Sequence, residues 1–152
     1  MKPAAVIVAT ILLLGTAAMG FMGSSRGITD ANKIDEAQRA LAGVTTGNTS
    51  SAVKRLQAIN PGRLRAGSLA FAGVALLSLA LLIVVFMNKG IVPHLAVGVV
   101  GMAACAVILN PSYDLGPTAP ASARSLAYVV GVLAALGASA AFGARPKHGW
   151  VA

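Results

Sequence analysis

The sequence predicts an all-α membrane protein with four transmembrane helices in two hairpins. One or two short amphipathic helices are expected in the long loop between the first and second spans. Three observations carry this. The stretch Ala66–Met87, AGSLAFAGVALLSLALLIVVFM, runs 22 residues without a charge. As a helix at about 1.5 Å per residue it covers roughly 33 Å, enough to cross a hydrocarbon core of about 30 Å. Apolar residues make up 57% of the chain and charged residues 11%, against about 25% charged in an ordinary soluble domain. So little polar surface cannot cover a globule in water. Finally, Arg63 and Arg65 precede the long apolar run and Lys89 follows it, where water and headgroups can hold them.

The first span covers residues 4–22, uncharged and 19 residues long. Lys2, an apolar run and Thr16-Ala17-Ala18 also describe a secretory signal. A signal's apolar region is usually about 7–15 residues, and this one is longer, so the segment is read as a span.

Residues 23–63 form the long polar stretch. Thr29 or Asp30 is placed to cap a helix, and Ile34, Ala37 and Leu41 recur on one apolar stripe. Asp35 and Arg39 form an i, i+4 pair, and Gly43 is a natural stop. A second short helix fits Ser51–Ile59, with Val53, Leu56 and Ile59 as its apolar edge and Lys54 and Arg55 off it. Thr45–Thr49 is the turn between. Both helices are expected to lie on the membrane or on a partner.

Asn60-Pro61-Gly62 ends that helix, and proline suits the first turn of the next. The second span is placed at residues 64–87, with a start as early as Pro61. Asn88-Lys89-Gly90 is a tight turn. The third span is residues 91–109, with Pro93 in its first turn and Asn110-Pro111-Ser112 closing it. Tyr113–Ala123 is a loop, and the fourth span is residues 125–143. The tail holds Arg145, Lys147, His148 and Trp150, residue types suited to the interface. The whole of residues 1–152 reads as a single membrane domain.

Orientation follows from the basic residues. The long loop with its flank and the third loop share one side and hold Arg26, Lys33, Arg39, Lys54, Arg55, Arg63, Arg65 and Arg124. The other side holds Lys2, Lys89, Arg145 and Lys147. The excess places the long loop in the cytoplasm and both termini outside. The Ala and Gly abundance suggests a GC-rich bacterial source, and hence the inner (plasma) membrane.

The uncharged runs of the spans, which in the second begin at Ala66, contain no Asp, Glu, Lys or Arg. Embedded ionisable groups usually mark proton relays and substrate paths, so a proton-coupled pump is not expected. No phosphate-binding loop, HExxH or nucleophile elbow occurs. Net charge is +8, but it sits beside apolar spans and no soluble basic module is present to bind nucleic acid. The single cysteine, Cys105, excludes an intrachain disulfide and a CxxC motif.

His94 is the best cofactor candidate. Gly98, Gly101 and Cys105 follow on its helical face, narrow enough to admit the edge of a haem or chlorophyll whose metal a neutral imidazole could ligate. The plainer reading is an interfacial histidine beside a small-residue packing face. The sequence itself requires no cofactor. Small-residue stripes also run along the fourth span (Ala127, Gly131, Ala134, Ala138, Ala141) and the second (Ala66, Ala70, Gly73, Leu77, Ala80), the pattern that lets helices approach closely in lipid.

The function expected is a small non-catalytic accessory subunit of a larger bacterial inner-membrane protein complex. Its partners would be other integral membrane proteins and membrane lipids. Its contact residues are expected among Ile34, Leu41, Lys54, Arg55, Arg63, Arg65, Gly98, Gly101, Gly131 and Ala138. One alternative is a homo-oligomeric channel or small-solute transporter component, with Thr10, Thr16, Ser68, Ser78 and Ser139 as pore hydroxyls. A cofactor protein working through His94 is the third reading.

Overall fold

A computed structural model describes residues 3–43, 51–87, 90–110 and 123–144. These residues are helical apart from short turns. The elements are α1 (Pro3–Ala42), α2 (Ser51–Ala58), α3 (Pro61–Phe86), α4 (Val92–Leu109) and α5 (Ala123–Gly143). Four of them, all but α2, are long and apolar enough to cross a membrane. The expected turns at Thr45–Thr49 and Asn88-Lys89, the bulk of the third loop and the tail with His148 and Trp150 lie outside the described residues.

The largest correction concerns residues 23–42. They were expected to leave the first span as a loop and restart as a short helix at Thr29 or Asp30. Instead α1 is one helix of 40 residues, about 60 Å long at 1.5 Å per residue. The hydroxyls that might have capped a new helix turn back on the old one. Ser25 Oγ donates to Met22 O at 3.1 Å and Thr29 Oγ1 to Ser25 O at 3.0 Å. Along the extension Arg26 faces Asp30 at 3.8 Å and Arg39 meets Asp35 at 3.0 Å.

Tertiary packing explains why glycine does not stop this helix. Its buried face is Thr16, Gly20, Gly23, Ser24, Gly27 and Ala31, and these small residues admit α3. A Cβ added at Gly20 would stand 2.9 Å from Phe71 O and 3.1 Å from Ala75 Cβ, and one at Gly27 would collide with Ser68 Oγ. Glycine costs about 1 kcal/mol against alanine in a helix interior, and the close approach of two backbones offsets it.

The long helices form a ring. α1 packs on α3 and α5, and each of these packs on α4; α3 touches α5 across the middle. Neighbours run antiparallel. Gly20 and Gly27 face Ala75 and Ser68 of α3, Gly23 of α1 faces Leu126 of α5 and Gly137 of α5 faces Leu13 of α1, and Gly73 and Gly98 meet Met102 and Leu77 across α3 and α4. The interior holds Leu13, Phe71, Val74, Leu81, Val99 and Val130 among side chains that are essentially fully enclosed. Large apolar side chains also point outward: Val97 is 70% exposed, Leu69 68%, Ile11 65% and Ile108 63%. A surface of this kind suits lipid, not water.

The ends of the elements follow local rules. Asn60 is extended and its side chain accepts from Arg63 N at 3.1 Å, with Pro61 beginning α3; this is an asparagine N-cap followed by proline at N1. Pro93 falls in the first turn of α4. Asn110 is extended at φ −76°, ψ 122°, as a residue before proline must be. α1 ends just before Gly43.

Candidate functional site

All the charged side chains among the described residues gather at one end of the ring: eight basic and three acidic. The C-terminal half of α1, all of α2 and the first turns of α3 and α5 meet there, beside the last turn of α4. A small second core lies beneath. Ala31 and Ile34 of α1 pack with Ile59 and Leu64, and Leu56 and Ala123 lean against them.

Polar bonds then fix the elements to one another. Arg65, in the first turns of α3, donates to Asp35 Oδ2 at 3.0 Å and to Asn32 Oδ1 at 3.2 Å, both on α1. Asp35 also receives Arg39. The two arginine side chains are 48% and 79% exposed, so each pair contributes only about 0.2–1 kcal/mol. Their larger effect is to set the register of α1 against α3. Arg63 reaches the other way: Nε donates to Leu109 O at 3.2 Å and an Nη to Ile108 O at 2.9 Å. Those carbonyls end α4 and have no partner of their own within the helix, and a cation there also suits the helix dipole. Gln38 Nε2 donates to Leu56 O at 2.9 Å and Ile59 O at 2.8 Å, holding the end of α2 against α1.

Buried polar groups lie at this end and deeper in the bundle. Asn110 is wholly enclosed against Gly67, and its Nδ2 donates to Ala106 O at 2.8 Å. Its Oδ1 has no hydrogen-bond partner among the described residues, nor have Ser78 Oγ and Arg124 Nε. A cleft between α1 and α5, bounded by Gly23, Arg26, Gly27 and Leu126, has room for about one water.

The residues singled out from the sequence are thus distributed over three settings. Arg63 and Arg65 join the braced end, each bonded to a different neighbouring helix. Lys54 and Arg55 stand exposed on α2, and Leu41 is half-buried near the end of α1. Ile34 and Ala138 are buried within the bundle, and a Cβ added at the half-buried Gly131 would stand 4.0 Å from Val107; their packing is internal. His94, Gly101 and Cys105 are exposed on the outer side of α4, and Gly98 is half-buried near Leu77. That face looks outward from the ring and forms no slot between helices. Among the described residues no group of three His, Cys, Asp or Glu side chains comes together to hold a metal.

Sequence reasoning missed Asn32 and Gln38, whose bonds cross between distant segments, and read Asn110 only as the end of a span. It also missed the small-residue face of α1, although Gly23-Ser-Ser-Arg-Gly27 carries the spacing of a close-packing helix motif.

Comparison with family models, with curated proteins and with solved structures finds no match for this chain.

Proposed function

We propose that this chain is a small accessory subunit of a larger bacterial inner-membrane complex, contributing packing and a fixed polar platform, without catalysis of its own. It crosses the membrane four times in two successive hairpins. The charged end faces the cytoplasm, where basic residues are enriched, and both termini lie outside.

The observation that carries this reading is the continuity of α1. One helix runs from the apolar span out to Ala42, and Gln38, Arg63 and Arg65 fasten α2, α3 and α4 around it. The result is a braced surface with Lys33, Lys54 and Arg55 exposed on it, suited to contact another protein. The outward apolar faces of α4 and α5 are then available for packing against the spans of that partner.

Four of the five hydroxyls proposed for a pore, all but Ser78, support the same reading. Thr10, Thr16, Ser68 and Ser139 each donate to the carbonyl four residues earlier, the usual way a helix in lipid satisfies such groups locally. Extraction of the tagged chain in mild detergent, followed by native mass measurement, is the test. Recovery with other membrane proteins is expected. Recovery only as a ring of identical subunits that conducts ions overturns the proposal in favour of a channel.

A further inference from the structure

We infer that the charged end is an arginine collar that binds the headgroups of anionic phospholipids in the leaflet it faces. Three of the four seams of the ring carry an arginine there. Arg63 spans the seam between α3 and α4, Arg65 the seam between α1 and α3, and Arg26 lines the cleft between α1 and α5. They also share a level. Gly27 lies against Ser68, so Arg26 stands beside the first turns of α3. Ser68 follows Arg65 by three residues, a rise of about 4.5 Å. Arg63 precedes Ser68 by five residues, about 7.5 Å, so the three arginines fall within about two helical turns of one another along the bundle.

Lipid sets what lies beside them. Ile108, whose carbonyl Arg63 holds, is 63% exposed, and Leu69, one turn beyond Arg65, is 68% exposed. A bilayer that covers those side chains brings its phosphates to the height of the arginines. The acids present offset the collar only in part: Asp30 faces Arg26 at 3.8 Å. Asp35 is shared between Arg39 and Arg65, and both oxygens held by Arg63 belong to carbonyls. An acidic protein would have to reach this level alongside lipid-facing side chains, whereas a headgroup is there already. The collar acts whether or not the chain joins a larger complex.

Lipid binding to the whole purified chain tests this. The delipidated protein in neutral detergent is titrated with phosphatidylglycerol or phosphatidylcholine, and the adducts are counted by native mass spectrometry. Each well-placed basic residue is expected to favour the anionic lipid by about fivefold. Arg63→Gln then loses about fivefold of the preference, and Arg63→Lys, which keeps the charge, retains it. Arg26→Gln, on another seam and in a half-buried ion pair, gives the same loss if Arg63→Gln does not fold. Equal adducts of the two lipids, or a preference that Arg63→Gln and Arg26→Gln both leave unchanged, overturns the inference.

Discussion

Replacing Gly20 by alanine measures how tightly α1 and α3 are pressed together. The new methyl would lie 2.9 Å from Phe71 O, 3.1 Å from Ala75 Cβ and 3.3 Å from Ala75 N. Two of those three atoms are backbone, so no side chain can rotate out of the way. The helices must separate by several tenths of an ångström over their contact. Overpacking of this kind costs about 1–3 kcal/mol. Alanine also gains about 1 kcal/mol in helix propensity over glycine, which partly hides the clash. Gly15→Ala removes that ambiguity. It lies on the same helix, and nothing stands within 4 Å of its added Cβ. The propensity gain is common to both variants, so their difference isolates the packing term. Gly20→Ala is expected to be less stable than Gly15→Ala by about 1–3 kcal/mol. Unfolding in mixed micelles, followed by protease protection, reads the difference. A Gly20→Ala variant as stable as Gly15→Ala would refute the close approach of the two backbones.

Other consequences are more local. Gln38→Ala removes both bonds that hold the end of α2, at about 1–3 kcal/mol; hydrogen exchange should accelerate across α2 while the amides in the middle of α4 keep their protection. Asn60→Ala removes the cap of α3 and is expected to cost about 1 kcal/mol, read by the same micelle titration against the parent chain. For Asp35 and Arg65, a double-mutant cycle with Asp35→Asn and Arg65→Gln should return a coupling of about 0.2–1 kcal/mol that shrinks in high salt; a coupling that salt leaves untouched would contradict the exposed geometry. Cys105 is exposed on the outer side of α4, so it should react with a small maleimide in detergent and resist a charged, impermeant one in sealed vesicles.

The apolar spans were legible in the sequence because lipid imposes length and charge exclusion directly. The stripe on the fourth span was legible in large part: Ala127, Ala134, Ala138 and Ala141 are buried in α5 and Gly131 is half-buried. The stripe read on the second span was less informative. Ala70 is buried, but Ala66, Gly73, Leu77 and Ala80 are only half-buried, and the enclosed face is carried by Gly67, Phe71, Val74, Ser78 and Leu81. A helix rich in small residues shows such stripes on several faces, and spacing alone does not choose among them. Residues 23–42 were misread for a related reason. Gly23, Ser24, Ser25 and Gly27 have loop-like propensities, and only a partner helix pressed against them makes the helical state win. At the charged end, Arg63 and Arg65 announced themselves by flanking a span. Their acceptors, Leu109 O on one side and Asp35 on the other, depend on the register between segments tens of residues apart, which no local pattern encodes.

The continuity of α1 underlies the braced end, the collar and the proposed platform together. Spin labels placed at Ala4 and Ala42, both exposed on α1, in a chain carrying Cys105→Ser, measure it directly. A single unbroken helix predicts a separation of about 57 Å between the two sites along the axis. A narrow distribution well below that distance would mean that the chain turns back after its first span, and the account of the charged end would fall with it.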